Sequence, residues 1–239
     1  MIASPHNEKL KLVRKLHERK HRDREGLFLT EGEDPIEAAL AAGAEPHLVL
    51  VAAGSGLDGE EVEPELLADA STLGSGTRAI AVWPQRWADS PQPPCLYLHA
   101  VADPGNVGAI VRTAHALIGG SVVLGPGCAD PFSPKAVRAS MGSIFGQPLV
   151  RGGVEMTPRP RTALVAHGGG GVEELDGAQT VCLGAERDGL PEDVLRECDG
   201  RVSIPLRPAA AESLNVAAAA AIACERLSSP GMWKAAADA

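Results

Sequence analysis

Hydrophobic and polar positions from the start of the chain to about Trp87 alternate between the periods of helices and strands. Leu10, Val13 and Leu16 recur at helical spacing after Asn7, so we expect a helix over residues 8–18 with Asn7 as its N-cap. Short apolar runs between polar and glycine-rich stretches indicate strands. Together these features predict a small α/β module. Its expected elements are strands at 27–29, 47–51 and 79–82, a helix at 33–42 ended by Gly43, and a loop at 54–59.

Residues 87–94 are rich in proline and polar residues, which is the composition of a semi-rigid linker. Beyond them, apolar strands alternate regularly with helices, as in a parallel sheet covered on both faces. We therefore expect two domains, a small α/β domain at 1–88 and a parallel-sheet α/β domain at 89–239. The predicted strands of the second are 95–101, 121–124, 162–166, 180–183 and 201–204, and its predicted helices are 107–117, 134–141, 191–197 and 213–227.

Composition favours a cytoplasmic protein that has no membrane partner. The chain has 239 residues, of which 44% are hydrophobic, enough for one large core or two modest ones. No apolar run reaches the ~18 residues that span a bilayer, and residues 1–24 lack the apolar stretch of a secretion signal. The five cysteines form no CxxC pair, so we expect buried, reduced thiols and no metal site.

The net charge of −9 conceals an uneven distribution. Residues 9–24 contain eight Lys and Arg against Glu18 and Asp23, a local charge of +6, so the remaining residues carry −15. Such a basic segment attracts a phosphate backbone locally, even on an acidic body. An ordinary solvated helix face has the same composition, and charge alone does not separate the two interpretations.

Three segments each follow a predicted strand, at the position where open parallel sheets bind ligands. The first, 103–115, contains Asn106, which we expect to cap the next helix, and Arg112, a single cation in an apolar helix. The guanidinium of Arg112 is suited to gripping a phosphate, and a surface salt bridge is the alternative. The second segment, 124–142, places Lys135 and Arg138 on one helix face, where they either bind phosphate or remain solvated.

The third segment runs from 183 to 191 and resumes at 204–216. Gly184 and Gly189 allow backbone to approach a ligand closely. Ser213 and Asn215 stand at a predicted helix start, where they either cap the helix or face a site. No GxxxxGK[ST] loop occurs, no GxGxxG follows a strand, and residues 168–171 are interpreted as a flexible glycine loop. These absences argue against a nucleotide-binding oxidoreductase.

Taken in order, the three segments resemble the three motifs of the SpoU/TrmH methyltransferases of the SPOUT superfamily. The resemblance covers about residues 95–227. The N-terminal region is similar to that family's RNA-binding domain, through Lys15-Leu16-His17-Glu18-Arg19-Lys20 and Phe28-Leu29-x-Glu31-Gly32. The motif residues are Asn106-x-Gly108 with Arg112-Thr113-Ala114, then Pro134-Lys135 through Arg138-Ala139-Ser140-Met141-Gly142, then Gly184-x-Glu186-x-x-Gly189-Leu190, Cys198-Asp199, Ile204-Pro205 and Ser213-Leu214-Asn215-Val216.

The resemblance implies an enzyme that transfers a methyl group from S-adenosylmethionine to a ribose 2′-hydroxyl of structured RNA, with rRNA preferred to tRNA. It also implies a trefoil knot in the C-terminal domain, a homodimer and chemistry without a metal. The implied catalytic residues are Arg112, Asn106, Glu186, Ser213 and Asn215; the cofactor-binding residues are Leu183, Gly184, Gly189, Ile204, Leu206 and Leu214; the RNA-binding residues are Lys15, Arg19, Lys20, Lys135 and Arg138.

Two alternatives remain open at this point, a tRNA 2′-O-methyltransferase and an RNA-binding relative without catalysis. The target nucleotide and a role in antibiotic resistance are also open. The chain departs from the family pattern at Arg187, where relatives often have glycine. It departs again at 206–212, which contain no glycine and are about one residue longer than in relatives.

Overall fold

A computed structural model describes residues 1–207 and 213–228 and divides the chain into two compact units. The first unit combines residues 1–86 with 130–146, and the second combines 87–129 with the described residues from 147 onwards. The mixed α/β architecture expected from the pattern is confirmed. The functional division into 1–88 and 89–239 stays a prediction.

Helices begin where the sequence supplies a capping side chain or a proline. Proline occupies the start of three of them, where its missing N–H leaves no helical hydrogen bond unmade. Single 3-10 turns cover Ser143–Phe145, Val154–Met156 and Val172–Leu175. The α-helices of the described residues are α1 (Glu8–Leu16), α2 (Arg19–Glu25), α3 (Glu33–Ala41), α4 (Pro64–Ala70), α5 (Pro104–Leu117), α6 (Pro134–Ser140), α7 (Glu192–Arg196) and α8 (Val216–Leu227).

The strands are short, with three to six residues each, and most of their side chains are buried. They are β1 (Leu27–Glu31), β2 (Leu48–Ala52), β3 (Glu60–Val62), β4 (Ala79–Pro84), β5 (Cys95–Leu98), β6 (Val122–Leu124), β7 (Leu149–Arg151), β8 (Arg161–Leu164), β9 (Thr180–Leu183) and β10 (Gly200–Val202).

The first unit is built on a mixed four-stranded sheet of order β1-β4-β2-β3. Strand β4 pairs antiparallel with β1 and β2, and β2 pairs parallel with β3. The apolar stripe of α1 packs into the core beside this sheet. Asn7 caps α1 as expected, because its side chain accepts a hydrogen bond from the Lys9 amide at 2.9 Å.

Residues 130–146 belong to the first unit because two buried interactions hold them there. The guanidinium of Arg22 contacts the Asp130 carboxylate at 2.8 Å, and both side chains are buried. The ring of Phe132 packs on Phe28 with centroids 4.9 Å apart. Removing one partner of a buried ion pair leaves an uncompensated charge in the interior, so loss of either Arg22 or Asp130 would strongly destabilise this arrangement.

The second unit contains a parallel six-stranded sheet of order β10-β8-β9-β5-β6-β7, which confirms the predicted parallel sheet. The last residues of adjacent strands lie level, since Leu98 of β5 pairs with Leu183 of β9 and with Leu124 of β6. The carboxyl ends of the strands therefore share one edge. Helices α5 and α8 pack against each other.

The pattern missed α2, α4, β3 and β7. Strands β3 and β7 have three residues each, too few to show a period of two. Helix α2 contains no apolar residue that would reveal a helical period. The predicted helix at 8–18 ends at Leu16 instead.

Two segments are more firmly bound than their composition suggests. Residues 87–94 are hydrogen-bonded within the second unit, with the Ala88 amide on Leu149 O at 2.7 Å. The glycine run 168–171 pairs with the chain around β10, since Gly170 donates to Arg201 O at 2.9 Å. A Cβ at Gly169 would lie 2.5 Å from the Val202 carbonyl carbon. The glycines therefore permit close backbone pairing, and the interpretation of 168–171 as a flexible loop is wrong.

All five cysteines are free thiols, and Cys95, Cys182 and Cys224 are buried. Burial raises the pKa of Cys95 to about 11 and that of Cys224 to about 12. Cys198 is half-buried, and a hydrogen bond from the Cys182 thiol lowers its pKa. Within 1–207 and 213–228, no helix is both long and apolar enough to cross a bilayer.

Candidate functional site

A cavity of about 330 Å³ opens at the shared carboxyl edge of the second unit's sheet. Its walls come from the residues that follow β8, β9 and β10 and from the start of α8. These three strands are neighbours in the sheet, so the chain segments that leave them converge on one volume. Cavities that hold small molecules and cofactors measure roughly 300–1,000 Å³, and this edge is where open parallel sheets place them.

All six residues that the resemblance assigned to the cofactor line this cavity, as do Glu186 and Ser213. The residues concerned are Leu183, Gly184, Gly189, Ile204, Leu206 and Leu214. Leu214 is 37% exposed although it is large and apolar, so a bound molecule would shield it from water.

Sequence reasoning missed the wall formed by Leu164, Val165 and Ala166 at the end of β8. A signal was available, because this apolar run ends a predicted strand next to the strand that precedes Gly184. Arg187, where relatives often have glycine, lies at the cavity with its side chain exposed. Of the unusual stretch 206–212, residues 208–212 lie outside the described part of the chain.

The loop after β9 is shaped by two glycines. A Cβ on Gly184 would lie 2.2 Å from the carbonyl carbon of Gly189, and Gly189 has φ +66°. The pair Ala185 and Gly189 exchange backbone hydrogen bonds of 3.2 and 3.0 Å, which close the loop into a tight turn. The missing side chain of Gly184 therefore makes room for Gly189 of the same chain, and both glycines lie at the cavity wall.

Three polar side chains from different segments form one hydrogen-bonded chain beside the cavity. The amide of Asn106 donates to Glu186 Oε1 at 2.6 Å, and its oxygen accepts from Asn215 Nδ2 at 3.1 Å. Asn215 Oδ1 in turn accepts from the Ala217 amide at 2.9 Å and caps α8. These hydrogen bonds link the N-terminus of α8 to the Glu186 carboxylate at the cavity wall, and they hold Glu186 in place.

Asn106 does not cap a helix, contrary to expectation. Helix α5 begins at Pro104, and its N-cap is Asp103, whose carboxylate accepts from the Asn106 amide at 3.0 Å. The helix starts earlier than the apolar pattern indicates because proline is favourable at its first position. The side chain of Asn106 is thereby left available to bind Glu186 and Asn215.

Arg112 is exposed on α5 and does not line the cavity. Six residues at about 3.6 per turn place it roughly 120° around the helix from Asn106 and about 9 Å farther along. Within residues 1–207 and 213–228, no carboxylate lies within 4.0 Å of its guanidinium. A surface salt bridge with a described residue therefore does not explain why an arginine stands at position 112.

The basic candidates of the first unit, Lys15, Arg19 and Lys20, are all exposed. Arg19 pairs with Asp23 at 3.5 Å, and Lys20 pairs with Glu18 at 2.7 Å and lowers its pKa by hydrogen bonding. Exposed ion pairs contribute little net stability in water, so a phosphate competes readily for either cation. Lys15 makes no ion pair within the described residues.

Lys135 and Arg138 are both exposed on α6. Nη1 of Arg138 donates to Glu31 Oε2 at 3.3 Å and to Thr72 Oγ1 at 3.2 Å. Arg138 is therefore anchored to a carboxylate of its own unit rather than fully solvated.

Comparison with known proteins assigns the family. The SpoU rRNA Methylase family model matches residues 93–225, and the MRM3-like substrate binding domain model matches residues 7–82. The 23S rRNA (guanosine(2553)-2'-O)-methyltransferase RlmP of Bacillus subtilis is 32% identical over 92% of this chain and 96% of its own length.

Two solved structures share the architecture over nearly the whole chain. The AdoMet-bound rRNA methyltransferase from Sinorhizobium meliloti superimposes with a TM-score of 0.81 at 27% identity, covering 95% of this chain and 96% of its own. The SpoU methyltransferase AviRb from Streptomyces viridochromogenes, in complex with AdoMet, has a TM-score of 0.79 at 28% identity, covering 92% and 97%. The chain is a member of the SpoU rRNA methylase family.

Proposed function

We propose that this chain transfers a methyl group from S-adenosylmethionine to a ribose 2′-hydroxyl of rRNA. The observation that carries the proposal is the cavity at the ends of β8, β9 and β10, which collects every predicted cofactor residue beside the Asn106–Glu186–Asn215 chain. The B. subtilis relative, named for ribose methylation of a guanosine in 23S rRNA, supports the substrate class.

The cavity fits the cofactor in size and chemistry. Leu183, Ile204, Leu206 and Leu214 supply apolar walls for an adenine ring, and the turn around Gly184 supplies backbone groups for its polar edge. When bound, S-adenosylmethionine supplies an electrophilic methyl group on a positively charged sulfur.

The polar side chains would align the hydroxyl rather than perform covalent chemistry. Glu186 and Ser213 line the cavity, and Asn106 and Asn215 lie beside it in the hydrogen-bonded network of Glu186. Orientation of the 2′-oxygen towards the methyl group would provide much of the rate there. Arg112 stays protonated in a protein and cannot act as the base. We assign it instead to the phosphate next to the target ribose, where it stabilises developing charge. The proton leaves to that phosphate or to water.

Three finer features follow from the family resemblance and remain proposals. They are the trefoil knot in the C-terminal domain, a homodimer and a cytoplasmic location. RNA contact is proposed for Lys15, Arg19, Lys20, Lys135 and Arg138 on the first unit, which the substrate-binding family model supports for residues 7–82.

The proposal is tested by incubating the full chain with labelled S-adenosylmethionine and unmodified rRNA or tRNA transcripts. We expect label in rRNA, recovered as a 2′-O-methylnucleoside after digestion and mass spectrometry. Label in tRNA would assign the alternative substrate, and methylated bases would contradict ribose chemistry. Cofactor binding in calorimetry without any transfer would identify a non-catalytic relative.

Charge reversal at Lys15, Arg19 and Lys20 tests the RNA contact. We expect weaker rRNA binding and a salt dependence whose slope is smaller by up to about 2–3, because each lost phosphate contact removes about 0.7–0.9 from it. Cofactor affinity should not change. A matched control reverses the exposed Arg196, Arg201 and Arg226 of the second unit, with the same change in net charge. Equal RNA affinities for the two triple variants would mean that the basic segment is only a solvated helix face.

A further inference from the structure

A second pocket, of about 240 Å³, lies within the first unit between β1, the start of α3 and α6. Its walls are mostly apolar and come from Leu29, Pro35, Pro134, Val137 and Met141. Thr30 and three charged residues, Glu31, Asp34 and Arg138, complete the lining. The cavity at the sheet edge of the second unit shares none of these residues.

Met141 is the least expected part of this wall. It is 63% exposed although it is large and apolar, and its φ of +48° lies in the left-handed region that residues other than glycine rarely adopt. Met141 ends α6 as its C-cap, a position where glycine is usual, and its exposed side chain gains nothing from burial. Strained residues cluster at binding sites, where a contact with a ligand compensates the strain.

Arg138 is held at the pocket by a buried carboxylate. The side chain of Glu31 is 2% exposed and accepts hydrogen bonds from the hydroxyls of Ser71 and Thr72, from the Thr72 amide and from Arg138. Because a buried carboxylate needs this full set of donors, the guanidinium is kept in one place. Its two hydrogen bonds both use Nη1, and within the described residues Nε and Nη2 have no partner.

We propose that this pocket binds one unpaired base of the substrate RNA, with guanine preferred. The inference rests on the proposed function, since it takes RNA as the substrate, and it adds a site separate from the cavity at the sheet edge. Proteins read RNA sequence mainly from unstacked bases, which they hold between apolar faces and hydrogen-bond at their edges.

The Glu31 carboxylate is already engaged by Ser71, Thr72 and Arg138, so Arg138 and Asp34 are the charged groups that select guanine, by the polarity of their hydrogen bonds. A guanidinium donates to O6 and N7, which is the commonest specific contact to this base. The exposed carboxylate of Asp34 accepts from the N1–H and the N2 amino group. Adenine presents an amino donor where guanine has O6, so it faces the cation unfavourably. The apolar walls contact the ring faces of either purine.

The test observes Met141 directly by NMR of the full chain labelled with ¹³C-methyl methionine. The chain has four methionines, so the spectrum is simple, and Met141→Leu assigns the signal. GMP, AMP, CMP and UMP are titrated separately, with ribose 5-phosphate as the probe for phosphate binding alone. We expect GMP to shift the Met141 methyl upfield through its ring current, with a Kd on the order of a millimolar, and to bind at least about threefold tighter than the others.

Arg138→Gln should weaken GMP binding about tenfold or more, which is within the discrimination of a bidentate arginine contact. Arg78→Gln is the matched control, an exposed arginine of the same unit that does not line the pocket. Asp34→Asn should reduce the preference for GMP over AMP. Thermal melts establish that each variant is folded.

Three results would overturn the proposal. They are a Met141 methyl unmoved by every nucleotide, a shift that ribose 5-phosphate reproduces, and equal GMP binding by the Arg138 and Arg78 variants. None of these titrations requires cofactor or turnover. A failure here leaves methyl transfer untouched, and a failure of methyl transfer leaves base binding measurable.

Discussion

Arg112→Ala should lower single-turnover methyl transfer by about 10²–10³-fold, the usual loss when one preorganised donor to developing charge is removed. Cofactor affinity should be unchanged, because Arg112 does not line the cavity at the sheet edge. The stability of the fold should change by no more than about 0.5 kcal/mol, since the side chain is exposed and has no carboxylate partner within the described residues. The measurements are rapid-quench transfer to the cognate RNA, calorimetry and thermal melts.

Arg112→Lys separates charge from geometry. Lysine keeps the positive charge but loses the planar fork that grips a phosphate with two hydrogen bonds. Recovery of most of the rate would show that charge suffices, and a rate near that of the alanine variant would show that bidentate positioning is required. Arg226→Ala is the control, because it removes an exposed arginine from α8 of the same unit. A folded Arg112→Ala protein that transfers methyl at the normal rate would contradict the role assigned to this residue.

Gly184→Ala should abolish most cofactor binding. The added Cβ would lie 2.2 Å from the carbonyl carbon of Gly189 and 2.4 Å from the amide nitrogen of Leu190. Backbone cannot yield as a flexible side chain does, so the turn after β9 has to open. Overpacking of this kind costs typically 1–3 kcal/mol, which corresponds to a loss of about 5- to 150-fold in affinity if the bound conformation carries the strain. Calorimetry with S-adenosylmethionine measures it.

Two further variants show whether the turn itself matters. Gly200→Ala is the matched control, because its Cβ would meet only Thr162 Oγ1, at 3.9 Å, and should leave affinity intact. Gly189→Ala should give an intermediate loss, since an L-residue at φ +66° costs roughly 1–2 kcal/mol without a collision. Normal cofactor affinity in Gly184→Ala would mean that the shape of this turn does not matter for binding.

Much of the cavity at the sheet edge could be predicted from the sequence because parallel strands end at one edge. Each apolar run of the second unit is followed by a loop, and the residues just after 183 and 204 line the cavity as expected. The strand Thr180–Leu183 is predicted to the residue, since its mostly apolar run lies between Gln179 and Gly184. The same rule, applied to the apolar run at 162–166, would also have predicted that Leu164, Val165 and Ala166 line the cavity.

The hydrogen-bonded side chains beside the cavity could be predicted from the sequence only in part. The family motifs identify Asn106, Glu186 and Asn215 as candidates. Asn106 is 80 residues from Glu186 along the sequence and 109 residues from Asn215, yet it is hydrogen-bonded to both. Their contact depends on β5 and β9 being neighbours in the sheet and on α8 packing against α5. Strand order is a product of global packing, and local periodicity does not contain it.

The sequence by itself determined the alternation of strands and helices, the parallel sheet, the three motif segments and the family they resemble. These are properties of local composition and spacing, which act within one or two turns of chain. Only the tertiary structure decided that residues 130–146 pack with the first 86 residues, that Arg138 is tied to Glu31, and that Arg112 stands apart from the cavity. Each of these depends on buried contacts between residues far apart in sequence, such as Arg22 with Asp130, whose energy exists only once the whole core has formed.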